Sequence, residues 1–213
     1  IENLKIVREI KTLNDQAELT TIFTEKSVDF IKENKDNPFF LYVPHPMPHV
    51  PIAVSEKFLG KSEQGLYGDL MMEIDWSVGK IINELEKNKI IDNTLIIFTS
   101  DNGPWLNFGN HAGSTGGLRE GKGTSFEGGQ RVPTVMMWPD VIPAGKIANQ
   151  LSSSIDILPT ISHIVDGNLP KHKIDGVNIM EILKGEKVNP RKEFYYYYKD
   201  NNLEAVRKDN WKL

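Results

Sequence analysis

At 213 residues and 39% hydrophobic, the chain is long enough for one sizeable core, or for one domain with part of a second. Its formal net charge of -4, from 25 basic and 29 acidic residues with neither sign gathered into a block, argues against nucleic acid as a partner. No run approaches the roughly 18 apolar residues of a spanning helix, and no basic-then-apolar opening reads as a signal peptide. The absence of cysteine excludes disulfides, thiolate metal sites and cysteine nucleophiles within these residues.

In chain order, "TEKSVDFIKENK" (24–35) predicts a short amphipathic helix with Thr24 as its N-cap, acidic residues early and lysines late. "PFFLYV" (38–43), a compact apolar run bounded by prolines, predicts a buried strand. From Gly68 to about Asn88, Leu70, Met71, Ile74, Val78, Ile81, Ile82 and Leu85 recur at the helical period. "NTLIIFTS" is the next buried strand. Strand, helix and strand in that order predict a βαβ unit, with parallel strands and a sheet covered on both faces.

Residues 103–131 form a glycine-rich connection of a length that is usually functional or disordered. "VPTVMMWP" (132–139) predicts another buried strand, and "SIDILPTISHIV" (154–165) a helix interrupted near Pro159. After Pro190, "EFYYYY" and "LEAVRKDNWKL" predict antiparallel strands of a smaller subdomain. The chain opens at Ile1 rather than at methionine and closes in a running apolar/polar alternation, so it is expected to be a piece of a longer protein.

Chemistry concentrates where these strands end. Sites in open α/β sheets form outside the carboxyl ends of strands. Asp101 and Asn102 follow one such run, and His45 and His49 follow another. A carboxylate beside an amide oxygen suits a hard cation such as Ca²⁺ or Mg²⁺, although Asp-Asn-Gly is equally a turn sequence. "PHPMPHVP" sets two histidines among stiffening prolines, as a site or as an exposed proline-rich loop. "GGLREGKGTSFEGG" (116–129) combines Arg119 and Lys122 with pliable backbone, as a loop around a phosphate or sulfate would, or as a solvated charge. It nearly matches a nucleotide-binding P-loop. Gly123 stands where that motif needs Ser or Thr, and no strand precedes it, which argues against one.

Taken together and in order, "PFFLYVPHPMPHVP", "YGDLMMEIDWSVGKIINELE", "TLIIFTSDNGP", "GGLREGKGTSFEGGQRVPTVMMWP" and "SSSIDILPTI" resemble the downstream half of the formylglycine-dependent sulfatases, arylsulfatases in particular. The resemblance runs from about Pro38 to Leu213. It implies an alkaline-phosphatase-like α/β fold, a mostly parallel sheet flanked by helices. Residues 1–189 would be the second half of the core and residues 190–213 the beginning of the antiparallel subdomain. It also implies hydrolysis of aryl or carbohydrate sulfate monoesters with Ca²⁺, in preference to Mg²⁺. Asp101 and Asn102 would be metal ligands. His49 would contact the sulfate ester and protonate its leaving oxygen, and Lys122 would hold sulfate oxygens. The resemblance assigns no role to His45, His111 or Arg119.

The family's C/S-x-P-x-R motif, whose Cys or Ser becomes the formylglycine nucleophile, is absent from these residues, as are the upstream calcium-binding aspartates. Family habit places such enzymes in the periplasm or outside the cell. Two rival readings stand beside this one: a phosphomonoester or phosphonate hydrolase of the same superfamily, and a non-catalytic domain.

Overall fold

The computed structural model describes residues 4–213, and the chain divides into two compact units. The first comprises Ile1–Ile91 with Pro104–Ser114, the second Asp92–Gly103 with Thr115–Leu213.

The first unit is helical. A short helix α1 (Leu13–Ala17) starts from a reciprocal cap: Thr12 Oγ1 accepts the Asp15 amide at 3.2 Å, and Asp15 Oδ2 accepts the Thr12 amide at 2.9 Å. Helix α2 (Leu19–Asn34) then packs against α3 (Gly65–Lys87). Thr24 is therefore not an N-cap. It lies inside α2, buried, with its hydroxyl 2.6 Å from Thr20 O and 2.6 Å from Ser77 Oγ on α3. The stripe Thr20, Thr24, Ser27, Ile31 recurs at three and four spacing, but three of its members are hydroxyls, so an apolar periodicity begins too late.

Helix α3 carries the core of this unit. Leu70 and Ile74 pack with Met47 and Ile52, and Val50, Leu66 and Tyr67 complete the cluster. Two buried carboxylates on the same helix tie down the neighbouring loop. Glu73 accepts the Ser55 amide at 3.1 Å, and Asp69 accepts the Gly60 and Ser62 amides at 2.7 and 2.6 Å.

Residues 38–43 form no strand. Phe39, Leu41 and Val43 are half-buried while Phe40 and Tyr42 are exposed. This is the two-residue alternation of a strand without a ladder, because propensity reports fit to a pleated surface and does not choose a partner.

The second unit contains β1 (Ile96–Thr99), whose partner is β2 (Thr134–Met137), antiparallel, with Ile97 opposite Met136 and Thr99 opposite Thr134. The parallel βαβ pairing expected from element order is not evident among the described residues. Nor are these strands buried on both faces: Phe98 is 36% and Val135 63% exposed. Ile97 and Met136 face Ile157 and Ile161 of α5 (Ile157–Ile164) and Leu183 of α6 (Met180–Leu183). A two-stranded ribbon has one apolar face covered and the other left open.

Pro159 does not interrupt α5. It sits in the first turn, where its missing N–H has no intrahelical acceptor to lose. Just before it, Asp156, fully buried, accepts the amides of Ser153 at 2.8 Å and Val177 at 2.9 Å and pairs with Arg191. Arg191 also donates to Asp175 O at 3.2 Å.

The tyrosine run forms β3 (Glu193–Tyr198), antiparallel to β4 (Asn202–Lys208), which pairs in turn with β5 (Trp211–Lys212). This matches the expected antiparallel strands. Helix α4 (Glu127–Gln130) is tied to them by Glu127, which pairs with Arg207 at 3.2 Å and Lys212 at 3.1 Å. No helix among the described residues is long and apolar enough to cross a membrane.

Candidate active site

In the second unit, β1 ends at Thr99 and the chain turns at once. Ser100 Oγ donates to Asn102 O at 3.0 Å, and Gly103 N donates to Gly129 O at 3.0 Å. Asp101 is exposed and Asn102 half-buried, so neither bears the cost of full desolvation. The Asn102 amide nitrogen donates to Gly103 O at 3.1 Å, which leaves Oδ1 to act as an acceptor.

The contact that sets this turn in place is between glycines. A Cβ on Gly103 would collide with the Gly128 carbonyl, and one on Gly128 with the carbonyls of Arg119 and Glu120. One on Gly129 would strike those of Gly121 and Thr124. Gly128 N also donates to Arg119 O at 2.8 Å. The turn of Asp101 and Asn102 is thereby joined, backbone to backbone, to the loop that carries Lys122. Such approach is available only to residues without a side chain.

Within that loop, Thr124 Oγ1 donates to Gly121 O at 2.9 Å, and Gln130 Nε2 to Thr124 O at 2.9 Å, closing a small turn around half-buried Lys122. The Arg119 guanidinium lies 3.9 Å from the centre of the Phe126 ring, a cation–π contact that accounts for this arginine.

His49 belongs to the first unit. Met47 and Ile52, 3% and 4% exposed, anchor its loop to α3 on either side and leave His49 itself in solvent. The peptide bonds before Pro48 and Pro51 are cis. His49 Nδ1 stands 2.7 Å from Val50 O. A carbonyl only accepts, so Nδ1 carries the hydrogen and Nε2 is the ring nitrogen left for other partners. The His49 ring meets Trp105 at 6.4 Å between centroids, and Trp105 meets Phe108 at 4.9 Å.

His45 has another place. Its Nε2 is 3.2 Å from Ser77 Oγ and its ring stacks on Phe23 at 6.2 Å. Burial pushes its pKa below the usual histidine value, and Nδ1 is buried with no hydrogen-bond partner among the described residues. It is part of the packing between α2 and α3. His111 is exposed at the end of a short 3₁₀ segment, Leu106–His111.

The donor chemistry of Asp101 and Asn102 fits a hard divalent cation but supplies only part of a shell. No cluster of three or more His, Cys, Asp or Glu that could hold a metal occurs among the described residues. Sequence reasoning did not single out the contacts made by Gly103, Gly128 and Gly129, although the paired glycines of "FEGG" were their signal. Nor did it single out Trp105, two residues after that same turn's glycine.

The sulfatase family model matches residues 5–167. Human steryl-sulfatase is 38% identical over 195 residues, covering 89% of this chain and 33% of that one. N-acetylgalactosamine-6-sulfatase of Canis lupus familiaris is 39% identical over 201 residues, covering 92% of this chain and 38% of that one. The crystal structure of a sulfatase from Pseudoalteromonas sp. superposes with a TM-score of 0.92 at 29% identity, over 98% of this chain and 42% of that one. The chain thus spans about a third of the length of the curated relatives it matches. A phosphonate monoester hydrolase from Silicibacter pomeroyi shares the fold, with a TM-score of 0.51 at 20% identity.

Proposed function

Because the chain belongs to the sulfatase family, we propose that it supplies one part of a site for hydrolysis of sulfate monoesters, with aryl or carbohydrate alcohols as leaving groups. The observation that carries this reading is the glycine-to-glycine seating of the Asp101–Asn102 turn against the Lys122 loop. Asp101 and Asn102 would hold Ca²⁺, and the ion when bound would offset charge on the sulfate oxygens. Lys122 would hold a sulfate oxygen as a mobile point charge on a pliable loop. His49 Nε2 would give a proton to the departing oxygen, because an alkoxide or phenoxide leaves poorly without one.

The relatives' names span sterol and amino-sugar esters, so the alcohol is not chosen by kinship alone. On the same reading, residues 38–43 would pair as a strand within a mostly parallel sheet. The two-residue alternation of exposure from Phe39 to Val43 supports this.

No cysteine occurs in these 213 residues and no serine stands in S-x-P-x-R, so a formylglycine nucleophile would have to come from elsewhere. The test is to assay the purified chain against an activated aryl sulfate and the matching aryl phosphate, with excess calcium. The expected result is no turnover of either. Addition of the formylglycine-bearing N-terminal portion of a relative should give calcium-dependent sulfate hydrolysis. Sustained turnover by the chain alone would mean that the nucleophile lies within it. Preferential phosphate hydrolysis in the mixture would replace the sulfatase reading with a phosphatase one.

A further inference from the structure

Beside His49 in the first unit stands an aromatic pair that the proposed chemistry does not use. Trp105 is 40% and Phe108 45% exposed, packed edge to face at an interplanar angle of 70°. The His49 ring meets Trp105 at 64°. Large aromatic rings side by side in water are costly unless something covers them.

The pair is held in place. Phe108 N donates to Trp105 O at 3.1 Å and Ala112 N to Gly109 O at 3.0 Å. Gly109, at φ 53° and ψ -122°, bends the segment between them. Gly113, at φ 75°, lies so close to Tyr67 of α3 that a Cβ there would collide with the phenol. Tyr67 packs on the same Met47, Ile52, Leu70 and Ile74 cluster that seats the His49 loop. One core therefore fixes the spacing between His49 and the aromatic pair.

Resting on the sulfate-ester reading above, we propose that Trp105, backed by Phe108, is the stacking platform for the pyranose ring of a carbohydrate sulfate. The platform would hold the alcohol portion beside His49 and make Trp105 a specificity-determining residue. The C–H groups on one face of a pyranose carry slight positive charge and suit the negative face of an indole. Its polar neighbours in sequence favour a sugar over an aryl ring. Asn107, Asn110 and His111, all exposed on the same short segment, offer donors and acceptors that hydroxyl groups would use and an aryl ring would not.

The test uses the 213-residue chain with inorganic sulfate, a methyl pyranoside, its 6-sulfate and phenyl sulfate as probes. Binding is followed by the indole N–H resonances, Trp105 being identified by its absence in W105F. The methyl pyranoside should shift the Trp105 resonance, sulfated or not. W105A should weaken the pyranoside sulfate about two- to tenfold, the range of an aromatic contact, and leave inorganic sulfate unchanged. W105F should keep most of the affinity, which separates lost stacking from lost folding.

An unmoved Trp105 resonance, or equal affinities in wild type and W105A, would overturn the platform. A larger loss for phenyl sulfate than for the sugar would overturn the choice of a pyranose. If inorganic sulfate fails to bind while the pyranoside still shifts Trp105, the sulfate reading falls and the sugar platform stands.

Discussion

Gly103 and Gly79 show how differently the same residue can be used. Gly103→Ala forces a methyl group against the Gly128 carbonyl, so the turn of Asp101 and Asn102 must move. The expected cost is about 1–3 kcal/mol in chemical denaturation, together with loss of calcium binding. Gly79, inside α3, has open space where a Cβ would stand, so Gly79→Ala should stabilise by about 0.5–1 kcal/mol through helix propensity alone. If the two substitutions shift the denaturation midpoint equally, the close approach at Gly103 is not what holds the turn. His45 gives a second prediction. Burial lowers its folded pKa below the ordinary 6.5, so the unfolded chain binds the proton more readily. Its contribution to stability is complete above about pH 6.5 and is lost as pH falls toward the folded value. Thermal melts between pH 5 and 8 should show this dependence in the wild type and a flatter one in His45→Gln; equal slopes would rule it out. The turn at Asp101 and Asn102 was legible in the sequence because polar residues at the end of an apolar run are conspicuous. The need for glycine at position 103 was not, since the atom it would strike lies 25 residues further along, on Gly128.

Among elements, α3 was legible because Leu70, Ile74 and Leu85 are apolar and buried at the helical period, whereas the start of α2 was hidden by hydroxyls serving as core residues. Residues 38–43 kept the alternation of a strand and lacked its ladder, a distinction that depends on a neighbour and not on the segment. The junction at α5 yields a ranked prediction. Asp156→Ala would strip acceptors from two backbone amides and from buried Arg191, which is 7% exposed. Arg191→Met would leave a carboxylate that still accepts both amides. Loss of one partner of a buried pair costs about 3–5 kcal/mol, and Asp156→Ala should lie at or above the top of that range with Arg191→Met below it. Urea denaturation of both variants checks the order; the reverse order would mean that the guanidinium, not the amides, dominates the junction.

For the molecule as a whole, the residues proposed for the chemistry fall in different units: His49 and Trp105 in one, Asp101, Asn102 and Lys122 in the other. Asp101 and Asn102 offer about two or three of the six to eight oxygens that calcium takes, the rest falling to water in this chain. Calcium should bind no tighter than about millimolar by calorimetry, and Asp101→Ala should remove the binding heat. Submicromolar binding would require ligands not recognised here. The two antiparallel strands after Pro190 were legible because an alternating tyrosine run needs only its hairpin partner, β3 with β4. The division into units was not, because it depends on where residues 104–114 pack.

That division has a consequence for how the chain is made. Residues 104–114 complete the first unit, yet the ribosome delivers them only after β1, which belongs to the second. While the first unit closes over Tyr67, the sequence Ile96–Thr99 has already emerged and its partner, Thr134–Met137, has not. For the time needed to synthesise some 35 further residues, about 2–7 seconds at common elongation rates, an apolar strand waits with both edges open. A chain arrested between these two points should therefore be the form most prone to pairing its open edge with another chain.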